Sequence, residues 1–394
     1  MVLVAGQVLS SAGNNLLLLA LFWYVLSTTG SSADLALTAL LETLAGVVSL
    51  FTGVYVDRWR KRHTMIYSDV VRASLAGLMW ALLLGHHLAF PWLLLLFFAL
   101  QVVGAFFDPA AFAFLPQIVS HDELPAAAGL YQSSASLAKM VGLLGGGAIV
   151  GFFGFPTAVL LDGVTFLASV VSLLFVAGAE ASPPSVDRHH YLVEWLAGLR
   201  VIGRSKAIVH ISAARLLANF GVAPVEIALA AWVKGPLHGS SLDLGLVMGA
   251  LLAAMTLGGI LVGPTTQRLR AIPLLAVGLV VSGAGFAAVG LRPEMAWTTA
   301  AVVVFGLAFG LIKGVLSGLT LQIVPAPLRG RVVGTLGALS ALLQPAGIAV
   351  FGALIARIPL AGVVVAIGTA IGLAGGILFL PVADDLSAMS DVSA

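Results

Sequence analysis

Long apolar stretches, separated by short polar segments, recur along the whole chain. Each has roughly 20 residues or more, which is the length that an α-helix needs to cross the hydrocarbon core of a bilayer. The 394 residues are 60% hydrophobic and 9% charged, whereas soluble domains carry roughly 25% charged residues. This composition excludes a water-soluble globular domain, and a disordered chain would show the opposite bias. The sequence therefore predicts an all-α membrane protein with about twelve transmembrane helices.

The apolar stretches give the predicted spans in chain order. They cover residues 2–27, 34–56, 64–85, 90–113, 126–151, 156–178, 207–233, 242–266, 271–290, 296–320, 332–356 and 360–382. A short amphipathic link from Pro116 to Pro125 is expected between the fourth and fifth spans. The first span is not expected to be a cleaved signal peptide, because it lacks a basic n-region and is too long.

A dense cluster of positive charge follows the second span. Arg58, Arg60, Lys61 and Arg62 fall within five positions, in a segment that begins at Gly53. Lys and Arg are retained on the cytoplasmic side of a membrane, so this segment is predicted to be cytoplasmic. Most other basic loop residues then lie on the same side, and so do both termini. We therefore expect a multi-pass protein of a prokaryotic cell (inner) membrane.

The chain repeats itself at an offset of 205 residues. The tripeptide Gln-Ile-Val at 117–119 recurs at 322–324. At the same offset, Asn14 matches Asn219, Gly129 matches Gly334, Leu137 matches Leu342, and Gly142 matches Gly347. This repeat predicts an N-terminal six-helix bundle at 1–178, a cytoplasmic linker at 179–206 and a C-terminal bundle at 207–394. The charged segment has a counterpart near 263–270, which keeps Arg268 and has Gln267 in place of Asp57. We therefore expect residues 53–62 to hold the cytoplasmic side closed more strongly than their counterpart does.

Twelve spans, duplicated halves and a long central linker are joined by one motif after span 2. The motif is G-x-x-x-D-R-x-x-[RK]-[RK], and it is formed by Gly53, Asp57, Arg58, Lys61 and Arg62. Together these features resemble the major facilitator superfamily, although Arg60 stands where that family usually has Gly. The resemblance implies two pseudo-symmetric six-helix bundles and secondary transport by alternating access, with a midplane site between the halves.

Three stretches make the chain similar to the drug-efflux branch that contains macrolide and siderophore exporters. They are Gly6-Gln7 with Ser10–Asn14 in span 1, Phe107–Ala110 in span 4, and Leu115–Val119 after it. This resemblance implies export of amphipathic organic compounds, drug-like or siderophore-like, driven by proton antiport. The expected partners are a small-molecule substrate, protons and the lipid bilayer. An uptake permease or uniporter for a small organic solute is the alternative, because Asn14 replaces a frequent Asp.

Span 5 contains a glycine-rich segment that resembles the antiporter signature G-P-x-x-G-G. Leu143 stands in place of the Pro, which also keeps the permease alternative open. Gly142, Gly146 and Gly147 form a small-residue surface that lets another helix approach closely. Most such surfaces are packing surfaces only. The resemblance implies that this one lies on the sliding seam between the two halves.

The charged segment is also predicted to be part of a gate, as the resemblance implies. Gly53 is expected to allow close approach at the end of span 2, and Asp57 to cap or accept from a helix end. Arg58, Lys61 and Arg62 are expected to bridge to acidic residues on other spans. The alternative is that the segment only sets the orientation in the membrane.

Polar residues share one helical face on four spans. The faces comprise Gln7, Ser11 and Asn14 in span 1; Gln101, Gly104 and Asp108 in span 4; Arg215, Asn219, Val222 and Glu226 in span 7; and Gly306, Lys313, Ser317 and Thr320 in span 10. The resemblance implies that these spans line the central cavity. Asn14, Gln101, Arg215 and Asn219 are therefore substrate-cavity candidates. Trp23 is a further one, unless it anchors span 1 at the membrane interface.

Charged residues inside spans need a partner or a water-filled cavity, because each costs at least ~2.5–3.5 kcal/mol at the span centre. Glu226 is the first candidate for a protonatable carrier. Glu42 is the second, with structural pairing as its favoured role, and Asp108 is a further candidate. Asp108 and Lys313 stand 205 residues apart, and we expect them to form a strut between the halves. Pairing of Asp108 with Arg58 or Arg62 is an equal alternative.

The remaining intramembrane charges are predicted to have structural roles. Asp69 and Arg72 are i,i+3 neighbours and are expected to form a local pair. Asp162 lies in span 6, which is peripheral in the family, and Lys139 shares the glycine face of span 5. No clustered catalytic set and no Walker loop is present, so neither an enzyme nor direct ATP drive is expected. We also expect no cofactor, metal site or nucleic-acid partner, and a monomer.

Overall fold

α-Helices make up nearly all of the chain that the computed structural model describes, which is residues 2–56, 58–120, 122–176, 199–200, 202–203, 206–324 and 329–378. The helices are α1 (Val2–Thr29), α2 (Ser32–Val56), α3 (Lys61–Leu84), α4 (Phe90–Gly104), α5 (Phe107–Ile118), α6 (Leu124–Phe153), α7 (Phe155–Leu174), α8 (Lys206–Val222), α9 (Val225–Lys234), α10 (Ser241–Ile260), α11 (Val262–Thr266), α12 (Ala271–Val289), α13 (Met295–Ile323), α14 (Arg329–Ile355) and α15 (Leu360–Leu378).

Twelve helical stretches in the described residues are long and apolar enough to cross a membrane, which confirms the predicted all-α fold. Two of these spans contain a break. Span 4 is divided into α4 and α5 after Gly104, and span 7 is divided into α8 and α9 at Ala223 and Pro224. Pro224 lacks a backbone N–H and fixes its own φ, so a regular helix ends before it.

The fourth span is longer than the sequence indicated. The predicted link between Pro116 and Pro125 is wrong in its first part, because α5 runs through Pro116 to Ile118. Pro116 is near the end of α5, so its missing N–H removes only one intrahelical hydrogen bond. Only a short connection then remains before α6 begins at Leu124.

The chain forms two compact units. Unit 1 comprises Met1–Val186 together with His238–Gly249, and unit 2 comprises Asp187–Leu237 together with Ala250–Ala394. Inside unit 1, α1 packs against α6 and α7, and α3 packs against α7. Inside unit 2, α12 packs against α13 and α15, and α8 packs against α14 and α15. Most of the predicted linker at 179–206 lies outside the described residues.

The glycines of span 5 bring α6 close to α1. A Cβ at Gly142 would overlap the carbonyl oxygen of Ala12, and one at Gly146 would lie 2.8 Å from the carbonyl oxygen of Leu16. Gly142 and Gly146 therefore pack against α1 inside unit 1, and the place of this motif on a seam between the halves stays a prediction. Gly147 faces another way, and its carbonyl oxygen accepts a hydrogen bond of 2.9 Å from Ser241 Oγ.

The basic residues after span 2 cap two helix ends. Lys61 Nζ donates to the carbonyl oxygen of Val56 at 2.6 Å, at the C-terminus of α2. Arg62 donates to the carbonyl oxygens of Leu173 and Leu174, both at 2.8 Å, at the C-terminus of α7. Cations are favourable there because the last carbonyls of a helix lack partners and carry the negative end of its dipole. Lys61 and Arg62 thus bond to carbonyl oxygens at the ends of two helices.

Two other residues of this segment, Gly53 and Arg58, do not make the contacts of Lys61 and Arg62 in the described part of the chain. The expected close approach at Gly53 is wrong, because a Cβ there would meet no described atom within 4 Å. Arg58 is exposed. Asp57, the expected capping residue, lies outside the described residues, so its role stays a prediction.

Candidate functional site

A polar cavity of about 240 Å³ opens inside unit 1, between the first five helices. Its wall is formed by Gln7, Ser10, Ser11, Asn14, Glu42, Ala45, Gly46, Ser49, Arg72, Gln101, Gly104, Ala105, Phe107 and Asp108. The polar faces predicted on spans 1 and 4 therefore meet in one place. Glu42, a predicted proton-coupling candidate on span 2, also belongs to this wall.

The break in span 4 shapes one side of this cavity. At the break, the carbonyl oxygen of Ala105 accepts a hydrogen bond of 2.8 Å from Thr52 Oγ1 on α2. Asp108 follows in the first turn of α5 and is exposed to the cavity. Gln7 Nε2 of α1 lies 3.4 Å from Asp108 Oδ1. A hydroxyl and an amide thus hold the broken span and its carboxyl against α1 and α2.

Arg72 reaches this cavity from the middle of α3 and is 6% exposed. Its guanidinium lies 3.5 Å from Asp69 Oδ1 and donates a hydrogen bond of 3.2 Å to Asn14 Oδ1. It also stacks on the ring of Phe166, 3.9 Å from the ring centroid. Gly104 leaves room for it, since a Cβ there would lie 3.2 Å from Arg72 Cζ. Arg72 therefore links α3, α1 and α7 at the cavity wall.

A second acidic residue lies behind Arg72 on α7. Asp162 is completely buried, and neither of its carboxyl oxygens has a hydrogen-bond partner among the described residues. Gly13 of α1 packs directly on it, since a Cβ at Gly13 would lie 2.9 Å from Asp162 Oδ1. The guanidinium of Arg72 lies nearby, because it stacks on Phe166, one helical turn after Asp162 on α7. An ionised carboxylate without a partner is costly inside a membrane span, so acidic residues are rare in such positions.

Other predicted site residues have separate surroundings in unit 2. Asn219 Nδ2 donates a hydrogen bond of 3.0 Å to Ser340 Oγ on α14. Arg215 is half-buried, and Lys313 is exposed on α13. Because Lys313 belongs to unit 2 and Asp108 to unit 1, their strut stays a prediction. The alternative pairing of Asp108 with Arg62 is not seen among the described residues. The guanidinium of Arg62 instead donates to carbonyl oxygens at the end of α7.

Glu226 is half-buried in the first turn of α9. The span breaks at Ala223 and Pro224, between Asn219 and Glu226, so the single polar face that was expected to join Glu226 to Arg215 and Asn219 stays a prediction. Trp23 is 9% exposed and therefore lies inside the packed protein. It does not have the exposure expected of a membrane-interface anchor.

Sequence reasoning did not predict that Arg72, Asp69 and Asp162 would form one group at the cavity. Asp69 and Arg72 were paired by their spacing, but Asp162 was assigned to a peripheral helix. The available signal was a carboxyl in the middle of an apolar span, which marks a functional residue by default.

Twelve candidate membrane spans in the described residues, together with a polar cavity inside unit 1 that carries two carboxyls and a guanidinium, are features of a membrane transport protein. The Major Facilitator Superfamily profile matches residues 3–348, and the chain belongs to this family. It is 27% identical to the multidrug efflux pump Tap of Mycolicibacterium fortuitum, over 88% of this chain and 86% of that protein. It is 22% identical to macrolide efflux protein A of Streptococcus pyogenes, over 87% and 86%.

Solved structures show the same fold. A bacterial homologue of the iron transporter ferroportin, in its inward-facing state, superimposes with a TM-score of 0.76 and 14% identity, over 96% of this chain and 97% of that one. The nucleoside transporter NupG superimposes with a TM-score of 0.73 and 13% identity, over 98% and 99%. These structures confirm the predicted architecture, and the sequence relatives confirm the similarity to efflux proteins.

Proposed function

We propose that this transporter exports amphipathic organic compounds, drug-like or siderophore-like, in exchange for protons and by alternating access. The observation that carries the proposal is the cavity of unit 1, where the carboxyls of Asp108 and Glu42 and the guanidinium of Arg72 share one wall. Charged residues inside membrane spans mark substrate and proton pathways in transporters. The similarity to a multidrug pump and a macrolide efflux protein supports the outward direction.

The size of the cavity supports an amphipathic substrate. Pockets that enclose a whole drug-sized ligand measure roughly 300–1,000 Å³, and this cavity measures about 240 Å³. It fits the polar end of a compound better than an entire one. Gln7, Asn14 and Gln101 offer amide donors and acceptors, and Asp108 and Glu42 offer negative charge to a cationic group.

Three carboxyls are proposed to take part in proton exchange. Asp108 and Glu42 lie in the wall of the cavity, and Glu226 lies in the first turn of α9 in unit 2. A carboxyl that is reached in turn from the two sides of the membrane can load a proton on one side and release it on the other. We further propose a monomer in the inner membrane with both termini in the cytoplasm, as the positions of the basic loops favour.

Transport by the purified full chain in proteoliposomes tests this proposal. The probes are radiolabelled erythromycin and a fluorescent lipophilic cation, each with and without an imposed proton gradient. We expect a gradient to drive accumulation of at least one probe, and Asp108→Asn to reduce that accumulation strongly. Asp122→Asn, in the exposed loop before α6, is the control and should transport like the wild type.

Two outcomes contradict proton antiport. Transport that equilibrates a probe but ignores the gradient favours a uniporter. Accumulation in the same direction as proton entry favours an uptake permease. The Glu226→Gln variant distinguishes Glu226 from the two cavity carboxyls, Asp108 and Glu42. Loss of gradient dependence in that variant assigns the coupling role to unit 2.

A further inference from the structure

The crossing of α3 and α7 holds a buried carboxyl that the proposed function does not use. We propose that Asp162 binds a coupling proton and that Arg72 transmits its charge state to the cavity wall. Asp162 thereby acts through Arg72 and is a positioning residue for the cavity. This inference rests on the proposed proton-coupled transport and names a residue that carries the coupling.

The charges around Asp162 leave room for one exchangeable proton. Arg72, Asp69 and Asp162 are all buried, and Arg72 already forms an ion pair with Asp69. With Asp162 protonated, the group is neutral; with Asp162 ionised, it carries one net negative charge. No charged residue occurs in α1, and α6 supplies only Lys139. Asp108 of α5 and Glu42 of α2 also lie in the cavity wall with Arg72, and Arg72 is the cation of this wall. Release of the proton therefore adds a negative charge that Arg72 is best placed to balance.

The equivalent crossing in unit 2 is built without any charge. The sequences of α12 and α15 contain no charged residue, and Ile367 stands at the offset of 205 from Asp162. There the helices meet through Gly283 and Gly368, where a Cβ on either would overlap the backbone of the other. This fold therefore forms the crossing from small and apolar residues alone, so the charges of unit 1 are not a requirement of packing.

Arg72 connects the buried carboxyl to the cavity. Its guanidinium is bonded to Asn14, and both residues belong to the cavity wall. When Asp162 loses its proton, attraction toward the new carboxylate competes with the contacts to Asn14 and Asp69. The hydrogen bond to Asn14 weakens, and the position of positive charge in the wall changes. The step is an exchange between the carboxylic acid and a carboxylate plus a free proton, with no other bond made or broken.

Infrared difference spectroscopy tests the proton-binding part on the purified full chain. A change in buffer pH should produce the C=O stretching band of a protonated carboxyl, with loss of the band in Asp162→Asn. The Asp162→Glu variant should show a shifted band, and Asp122→Asn should show the wild-type band. Asn has nearly the shape of a protonated Asp, so the variant is expected to fold. A wild-type spectrum in Asp162→Asn overturns the proposal, and Asp162→Glu decides if the Asn variant does not fold.

Transport by the same variants tests the coupling part. In the wild type, a gradient of about one pH unit supports about tenfold accumulation in one-for-one exchange. Asp162→Asn should lose this accumulation and keep downhill exchange of the same probe within about twofold of the wild type. Gradient dependence that persists in Asp162→Asn overturns the inference and leaves the proposed function intact. A wild type without gradient dependence would instead refute the proposed function itself.

Discussion

The guanidinium of Arg72 donates a hydrogen bond of 3.2 Å to Asn14 Oδ1, and this bond joins α3 to α1 beside the cavity. In the drug-efflux branch that this chain resembles, the position of Asn14 is often Asp. A neutral acceptor leaves Arg72 as the only charge in this contact. The guanidinium is therefore less tightly held by α1 than an ion pair would hold it.

Replacement of Asn14 by Ala removes the acceptor from a buried cation. Hydrogen bonds to charged groups contribute about 1.5–3 kcal/mol, and we expect a loss of that size in the free energy of unfolding. Unfolding in mixed detergent micelles measures it. Asn15→Ala is the matched control, because Asn15 Nδ2 bonds only locally, to the carbonyl oxygen of Ser11. Equal losses in the two variants would contradict the importance of the contact with Arg72.

Removal of Arg72 should be more damaging than removal of both partners of its ion pair. Arg72→Gln leaves the completely buried Asp69 without its cation, and breaking a buried pair costs about 3–5 kcal/mol. Arg72→Gln with Asp69→Asn removes both charges and should recover a large part of that loss. Unfolding of the two single variants and the double variant forms a complete cycle. Additive losses would show that the two side chains do not interact.

Lys61 is expected to matter more for stability than its exposed neighbour Arg58. Lys61 is 7% exposed and bonds to the last carbonyl of α2. A partly buried cation at a helix C-terminus contributes up to about 2 kcal/mol, so Lys61→Ala should lower the thermal midpoint clearly. Arg58→Ala should leave the midpoint unchanged. A reversed order would mean that the charge near α2 acts by a contact other than the cap.

The glycines of span 5 should differ sharply over four positions. Gly142→Ala forces a methyl group against the Ala12 carbonyl, and overpacking of this kind costs about 1–3 kcal/mol. At Gly145 an added Cβ meets only Leu16 Cδ1, at 3.9 Å. Gly145→Ala should therefore be neutral or stabilising by up to about 0.5–1 kcal/mol, because Ala is the better helix former. Folded yield and thermal unfolding in detergent compare the two.

The spans and part of the cavity could be predicted because they depend on local periodicity, and the family could be predicted because its motif and the repeat are read directly from the sequence. Asn14, Gln101 and Asp108 lie on polar helix faces, and helical spacing alone indicates that each face has one direction. The grouping of Arg72 with Asp162 could not be predicted in this way. It depends on the packing of α3 against α7, two helices far apart in the chain, and no spacing within one helix reports such a contact.

Two departures from the predicted structure had signals that were present in the sequence. Span 7 was predicted as one continuous helix, but Pro224 removes a backbone donor in its middle. Gly53 was expected to permit close packing, yet a glycine in a motif does not by itself identify a neighbour. No described atom lies within 4 Å of a Cβ placed at Gly53. Lys61 and Arg62 form the contacts at this end of the span.

The crossing of α12 with α15 and the crossing of α3 with α7 differ in the substitutions that they can accept. At Gly283 and Gly368 the limit is volume, so that even a methyl group is excluded whatever its polarity. At Asp162 the limit is charge, and a side chain of the same shape fits without strain. The two crossings are thus constrained in two different ways. Random mutagenesis should recover larger residues at neither glycine, but should readily recover Asn at position 162 wherever growth does not depend on export.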